Sequence, residues 1–339
     1  MSNFLPTLFS GKRYAVVGLG KNGLPAALRL HAMGADVVAW DDNPASRSAV
    51  MVGERQPSTR CGVGSHKGMN GGPSPTVTER RDPAPWITVR DPTSGPFDFD
   101  ALVLSPGIPH RLPGPHLAAQ RAIEAGVPIL SDVELLYQAV RASGSRARFV
   151  GITGTNGKST TTALLAHILE QAGIPVAAGA NLGPAALSLP LLPHDGVYVL
   201  EMSSYMLERL ASIRFDAATM LNLSADHIDR HGDMAGYALA KRAIFDRQAS
   251  GDLAVVGVDD PGARDMAAWL EAQPAHLVRV SSSEVPLASG PALPGAHNAQ
   301  NAAAATAVAR FLGVPDDIIA AGLRTYPGLP HRQQRIVTI

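Results

Sequence analysis

The chain has 339 residues, enough for two α/β domains with cores of their own. Acidic and basic side chains balance at 29 each, without the basic stripe of a nucleic-acid binder. The single Cys61 excludes an intrachain disulfide. The opening MSNFLPTLFSGKRYAVVG has neither a cleavable leader pattern nor an apolar run that could span a bilayer, so a cytoplasmic protein without membrane attachment is expected.

In the first third, residues 13–18, 37–41 and 102–105 read as strands. Gly18-Leu-Gly-Lys-Asn-Gly23 matches G-x-G-x-x-G between a strand and a helix. Asp41 and Asp42 end the next strand, where a ribose-binding acid sits in a dinucleotide fold. Such a loop serves NAD, and it serves any other pyrophosphate-bearing nucleotide equally well, because glycines allow close approach and the helix end attracts charge. Ser105-Pro-Gly-Ile-Pro109 is a second tight turn after a strand, structural or ligand-facing. Residues 47–86 carry no periodicity and are rich in Gly, Pro, Ser and Arg. They read as a disordered surface insertion or as a local frame shift. A polar linker at 141–146 closes this part.

The most informative segment follows. Residues 151–160 read GITGTNGKST, after an apolar run and before a helix-spaced segment at 161–170. Gly154 and Gly157 let the backbone wrap an anion, with Thr155 and Asn156 between them; Lys158 reaches outer phosphates, and Ser159 or Thr160 offers a hydroxyl to Mg²⁺. Five residues separate Gly151 from Gly157, where the common P-loop has four. Further strands read at 149–153, 197–201, 219–223, 253–258 and 277–281. Strands alternating with amphipathic segments predict two parallel sheets, each flanked by helices.

Several residues of this half stand where chemistry is done. Glu201 ends an apolar strand in Glu201-Met-Ser-Ser-Tyr-Met-Leu-Glu208, placed as a Mg²⁺ ligand or as a solvated cap; Glu208 reads as a helix-surface charge. His227 beside Asp226 is a metal or phosphate candidate, whereas Asp229 and His231 read as turn or surface residues. Lys241 lies on the small, apolar face of a helix, where an ammonium is costly unless it snorkels to water. Asn181, Asn298 and Asn301 are each ordinary turn or cap residues when taken singly.

The T-G-T-N-G-K-[ST] form resembles the loop of the Mur ligases and their folylpolyglutamate synthetase relatives, and the resemblance covers nearly the whole chain outside 47–86. It implies an α/β architecture in three parts. These are an N-terminal Rossmann-like, UDP-substrate domain (1–143), a central P-loop-type ATP-binding domain (144–327), and a third Rossmann-like domain of which only 328–339 are present. EMSSYMLE and Gly328-Leu-Pro-His-Arg332 look most like the branch that adds D-glutamate to UDP-N-acetylmuramoyl-L-alanine in peptidoglycan precursor synthesis.

What the resemblance implies for single residues follows from that match. ATP and Mg²⁺ are the cofactors, held by Gly154 to Thr160, Asn181, Asn298, Asn301 and Arg332. Gly18, Gly20, Lys21, Asn22, Asp41, Asp42, Ser105, Gly107 and Ser203 serve the UDP-sugar. Lys158, Glu201, His227 and Lys241 run the chemistry, and Ser159, Glu201, His227 and a carbamylated Lys241 hold metal. A monomer is expected. With the D-glutamate site missing, the sequence predicts that the chain as given is not a competent ligase. Two alternatives stay open at this point: an NAD-dependent oxidoreductase built on GLGKNG, and a non-catalytic nucleotide-binding remnant.

Overall fold

The computed structural model describes residues 3–53, 87–284 and 290–329. Two parallel sheets follow one another along the chain. The first contains β1 (Arg13–Val17), β2 (Asp36–Trp40), β3 (Ile87–Val89), β4 (Ala101–Leu104) and β5 (Ile129–Leu130), in the order β3-β2-β1-β4-β5. Along β1, Tyr14 and Val16 enter one apolar cluster while Ala15 and Val17 enter another with Phe97 and Phe99. Burial on both faces is why this strand is an unbroken apolar run without alternation. Its helices are α1 (Gly23–Ala32), α2 (Pro44–Gly53), α3 (Leu117–Glu124) and α4 (Asp132–Ala142).

The second sheet contains β6 (Arg148–Thr153), β7 (Val176–Ala180), β8 (Val197–Glu201), β9 (Ala217–Met220), β10 (Leu253–Gly257) and β11 (His276–Val280), in the order β11-β10-β9-β6-β8-β7. On one face lie α5 (Lys158–Gln171), α10 (Ala296–Phe311) and α11 (Asp316–Thr325). The other face presents Phe149, Tyr198 and Leu200 to Leu135, Leu136 and Ala139 of α4, so one apolar cluster runs through both halves. The short helices α6 (Ser204–Leu207) and α7 (Ile228–His231), with α8 (Met234–Arg242) and α9 (Pro261–Leu270), complete this half. In each sheet the first strand has neighbours on both sides, and the chain leaves it first in one direction and then in the other. That reversal opens a crevice beyond the carboxyl ends of β1 and β4, and another beyond β6 and β9.

Several expectations shift. Residues 47–53 belong to α2, because Pro44 at the helix start and Arg47, which donates to the Asp41 carbonyl and stacks on Trp40, begin a regular turn. Residues 54–86, including Cys61, lie outside the described residues. The strand expected at 219–223 is Ala217–Met220, because beyond it the Asn222 carbonyl accepts from Thr155 N in the glycine loop. β3 and β5, at 3 and 2 residues, are too short to show a period. The linker expected at 141–146 starts inside α4, and Arg141 donates to the Ser145 and Ala147 carbonyls and lies over the Tyr137 and Phe149 rings. No helix among the described residues is long and apolar enough to cross a membrane.

α4 joins the halves through two buried carboxylates. Asp132 Oδ2 accepts from Asn22 Nδ2 at 3.2 Å and from Ala186 N at 2.9 Å. Glu134, fully buried, accepts from the backbone N–H groups of Ala211, Ser212 and Ile213 at 2.9–3.1 Å, from the Ser212 hydroxyl and from Gln138. Burial by itself raises the Glu134 pKa; the bonds from Ser212, the amides and Gln138 outweigh it and hold the carboxyl below its ordinary value. Glu134→Ala leaves three amides without their acceptor and is expected to cost about 3 kcal/mol of unfolding free energy in urea titration. Because the folded pKa is the lower one, the stabilisation is complete above the unfolded value near ~4.3 and is lost as pH falls through the folded value. Between about pH 5 and pH 3 the wild type should therefore lose stability more steeply than Glu134→Gln.

Candidate functional site

The glycine loop of the second sheet lies between β6 and α5 and is fixed from β9. Asn156 N donates to Asn222 Oδ1 at 2.8 Å, and Asn222 Nδ2 returns a bond to the Asn156 carbonyl at 3.1 Å. Thr155 Oγ1 donates to the Ser224 carbonyl at 3.1 Å. Gly157 is the turn into the helix, with φ +83°. A Cβ there would stand 2.3 Å from Asn301 Oδ1, so the position demands glycine twice over. Lys158 Nζ donates to the Gly154 and Thr155 carbonyls at 2.9 and 2.8 Å. Ser159 is buried and Thr160 half-buried at the helix start. The loop thus presents the amides of a helix N-terminus with a cation folded beside them.

Lys241 comes to the same loop from α8. It is 1% exposed, and its ammonium donates to the Gly154 carbonyl at 2.9 Å and Thr153 Oγ1 at 3.3 Å, 4.7 Å from the centre of the Tyr237 ring. It does not snorkel. Burial, with Lys158 adding to it and Asp226 opposing, pushes its pKa down to about 7. A large fraction of this side chain is therefore a free amine near neutrality, which is the nucleophilic form of lysine.

Glu201, at the end of β8, is 2% exposed. One oxygen accepts from Asn181 Nδ2 at 2.6 Å; the other, Oε2, is buried without a hydrogen-bond partner among the described residues. A buried carboxyl oxygen without a partner among the described residues is a place for a hydrogen-bond donor or a cation. Lys158, Asn181, Ser203, Asp226, His227 and Lys241 all line one cavity of about 140 Å³. His227 has φ +52° and its ring lies 3.4 Å from Asp226 Oδ2. Among the described residues no three His, Cys, Asp or Glu side chains form a metal cluster by themselves. The donor set is hard and sparse, which suits Mg²⁺: that ion keeps several waters and needs one or two carboxylates. A second cavity, of about 390 Å³, adjoins the loop and is lined by Asn156, Gly157, Thr160, His297, Asn298, Asn301 and Tyr326. Asn298 and Asn301 lie in the first turns of α10, whose N-cap is Gly295, and are bonded to each other at 3.2 Å.

The first sheet contributes its own loop. A Cβ on Gly23 would fall 1.7 Å from the Gly18 carbonyl, so glycine is required for the strand–helix packing; Gly20 faces open space. Ser105 Oγ donates to the Gly18 carbonyl at 2.6 Å, tying the two turns together. Asp41 accepts from Leu19 N and Asn43 N, and Asp42 pairs with His116. Lys21 Nζ donates to the Asn181 carbonyl at 2.8 Å, so the first loop touches the segment after β7 of the second sheet. Ser203 caps α6 through Met206 N. Arg332 lies outside the described residues.

Two expectations need correction. His231 is buried, not a surface residue: its ring shares a hydrogen bond of 2.9 Å with Ser204 Oγ, stands 3.4 Å from Glu208 and packs on Tyr205 and Tyr237. Glu208 is correspondingly half-buried, and burial raises its pKa. Three residues went unnoticed in the sequence. Asn222 holds the loop, and Arg209 and Arg230 reach across to the 104–108 carbonyls. A charged residue directly after a helix gives no sign that it is buried. Asn222 sits at a strand end where Asn is also commonplace, so its pairing with Asn156 had no local signal.

Residues 152–290 match the family described as Mur ligase middle domain. A protein named UDP-N-acetylmuramoylalanine–D-glutamate ligase from Paramagnetospirillum magneticum is 44% identical, over 97% of this chain and 69% of the relative. One of the same name from Zymomonas mobilis is 40% identical over the same shares. Among solved structures, the chain is similar to UDP-N-acetylmuramate:L-alanyl-gamma-D-glutamyl-meso-diaminopimelate ligase from Neisseria meningitides, with TM-score 0.59 and 17% identity over 94% of this chain and 99% of that one. It is also similar to UDP-N-acetylmuramate-alanine ligase from Thermotoga maritima, with TM-score 0.51 and 19% identity over 96% and 71%. Likeness at these identities shows a shared fold.

The buried ammonium yields a stability prediction. With the folded pKa of Lys241 near 7 and the unfolded value near ~10.4, the unfolded chain binds more protons between the two, so burial of this lysine costs most at and below neutrality. Lys241→Met should raise unfolding free energy at pH 7 by about 1 kcal/mol or more, and the gain should shrink as pH approaches 10. Thermal unfolding at a series of pH values checks both statements.

Proposed function

The chain belongs to the UDP-N-acetylmuramoylalanine–D-glutamate ligase family, and from that premise we propose that its two loops serve one ATP-dependent amide-forming reaction in peptidoglycan precursor synthesis. The first domain holds UDP-N-acetylmuramoyl-L-alanine and the second holds ATP. The alanyl carboxylate attacks the γ-phosphorus, forming an acyl phosphate and releasing ADP. The amine of D-glutamate then attacks the acyl carbon: the C–N bond forms, the acyl C–O bond breaks with its electron pair leaving on inorganic phosphate, and the nitrogen releases a proton to solvent.

The single observation that carries this reading is the cavity shared by Lys158, Lys241, His227 and Asn181, the last of which is bonded to Glu201. Lys158 exchanges its loop carbonyls for phosphate oxygens and neutralises the charge that is transferred. Lys241 in its free-amine form adds CO₂: the N–C bond forms as one C=O π pair moves onto oxygen, the nitrogen gives a proton to solvent, and an anionic carbamate replaces the neutral amine. Glu201 Oε2, the Ser159 hydroxyl, His227 and the Lys241 carbamate would hold Mg²⁺, which when bound offsets charge on the phosphoryl group. Asn181 orients Glu201. Asn298 and Asn301, with the second cavity, take the adenine side. Gly18, Gly20, Lys21, Asn22, Asp41, Asp42, Ser105, Gly107 and Ser203 face the UDP-sugar. The enzyme's share is positioning and charge neutralisation.

No observation favours an oxidoreductase, and the glycine loop over which that reading was open touches the second domain's Asn181. Thermal unfolding with single ligands tests the proposal. UDP-N-acetylmuramoyl-L-alanine and Mg²⁺-ATP should each stabilise the chain, by about 2.7 kcal/mol at a hundred times the dissociation constant, and NADH should not. Stabilisation by NADH with no response to the UDP substrate would overturn it.

A further inference from the structure

We propose that Arg209 and Arg230 are positioning residues that couple occupancy of the first domain's substrate crevice to the phosphate-side residues of the second. The inference rests on the functional reading above and deepens it.

Arg209 follows α6, eight residues after Glu201, and is 2% exposed. It donates to the carbonyls of Leu104 at 2.6 Å, Ser105 at 3.0 Å and Ile108, and to His110 Nδ1 at 3.4 Å. Arg230 lies in α7, three residues after His227; it donates to the Gly107 carbonyl at 2.9 Å and its guanidinium lies 4.4 Å from the centre of the Tyr205 ring. Four carbonyls of the β4 end and the Ser105–Ile108 turn are therefore held by two cations from the other domain. Neither cation makes a hydrogen bond or close ion pair with a carboxylate among the described residues.

A purely structural joint has a cheaper solution. Burying a guanidinium against neutral carbonyls carries a desolvation cost that apolar packing of the same volume avoids. What the arginines provide is direction. Each planar fork fixes the orientation of the peptide groups it serves, a task a lysine cannot copy. The held turn is bonded to the glycine loop through Ser105 and Gly18. At their other ends Arg209 follows α6 and Arg230 stands on α7, the short helices that come after Glu201 and His227, and Tyr205 of α6 packs against His227 at 5.0 Å. Displacing the Ser105–Ile108 turn must therefore move the segments that follow Glu201 and His227, because cores transmit displacement instead of absorbing it.

The test is a linkage measurement on the full chain by isothermal titration. Dissociation constants are measured for UDP-N-acetylmuramoyl-L-alanine and for Mg²⁺ with a non-hydrolysable ATP analogue, each alone and with the other saturating. In the wild type each ligand should change the affinity of the other by the same factor, at least about fivefold. In Arg230→Gln, on a half-buried side chain, and in Arg209→Gln, single-ligand affinities should stay within about threefold while the coupling factor falls towards one. Arg230→Gln keeps the idea testable if Arg209→Gln does not fold. A merely structural role would lower stability and leave the coupling factor unchanged, and that result overturns the proposal, as does a wild type that binds both ligands independently. A wild type that binds neither ligand overturns instead the functional reading beneath it.

Discussion

The relation between the two domains depends on two buried charges that bond mainly to backbone dipoles. Glu134 gathers three amides of the 211–213 loop, and Arg209 gathers three carbonyls of the 104–108 turn. Each would be expensive alone in a low-dielectric interior, and each is tolerated because several dipoles are aimed at it. Together they bond the two domains on either side of one crevice. Apolar packing joins the domains as well, through α4, and the directional bonds of the two charges add to the orientation that packing sets.

That fixed relation explains how the loops meet. Parallel sheets place all their functional turns at the carboxyl ends of the strands. The first sheet offers Gly18–Gly23 and Ser105–Pro109; the second offers the 154–157 loop, Glu201 and the segment through His227. Lys21 donating to Asn181, and Asn181 donating to Glu201, form a continuous polar path from the first glycine loop to the end of β8. The site then concentrates discomfort: a lysine whose burial pulls its pKa towards neutrality, a carboxyl oxygen without a partner among the described residues, a histidine at positive φ. Sites of chemistry accumulate such features because the surrounding fold over-determines them.

Much of the fold was legible because parallel strands buried on both faces write themselves as apolar runs. RYAVV, RFVGIT and VYVLE read as strands and are strands. The glycine loops were legible for a different reason: backbone that must wrap closely excludes side chains, and Gly23 and Gly157 each meet another atom where a Cβ would stand. Strands of two and three residues carry no periodicity to read. His231 and Arg209 were misjudged or missed because a polar residue beside a short helix looks the same in sequence whether it faces water or an interior.

The sequence by itself determined that there are two nucleotide-type turns, where they lie, and that Glu201, His227 and Lys241 follow buried runs or sit on a small-residue face. Those are local facts, set by steric limits on glycine and by the cost of exposing apolar strands. Only the tertiary structure decided that Lys241 reaches the Gly154 carbonyl across 87 residues and that one oxygen of Glu201 is buried with no partner among the described residues. It also decided that arginines of one domain hold a turn of the other. Those outcomes depend on how two sheets are set against each other, and that angle is set in part by bonds between residues about 80 to 105 positions apart, which no local pattern records.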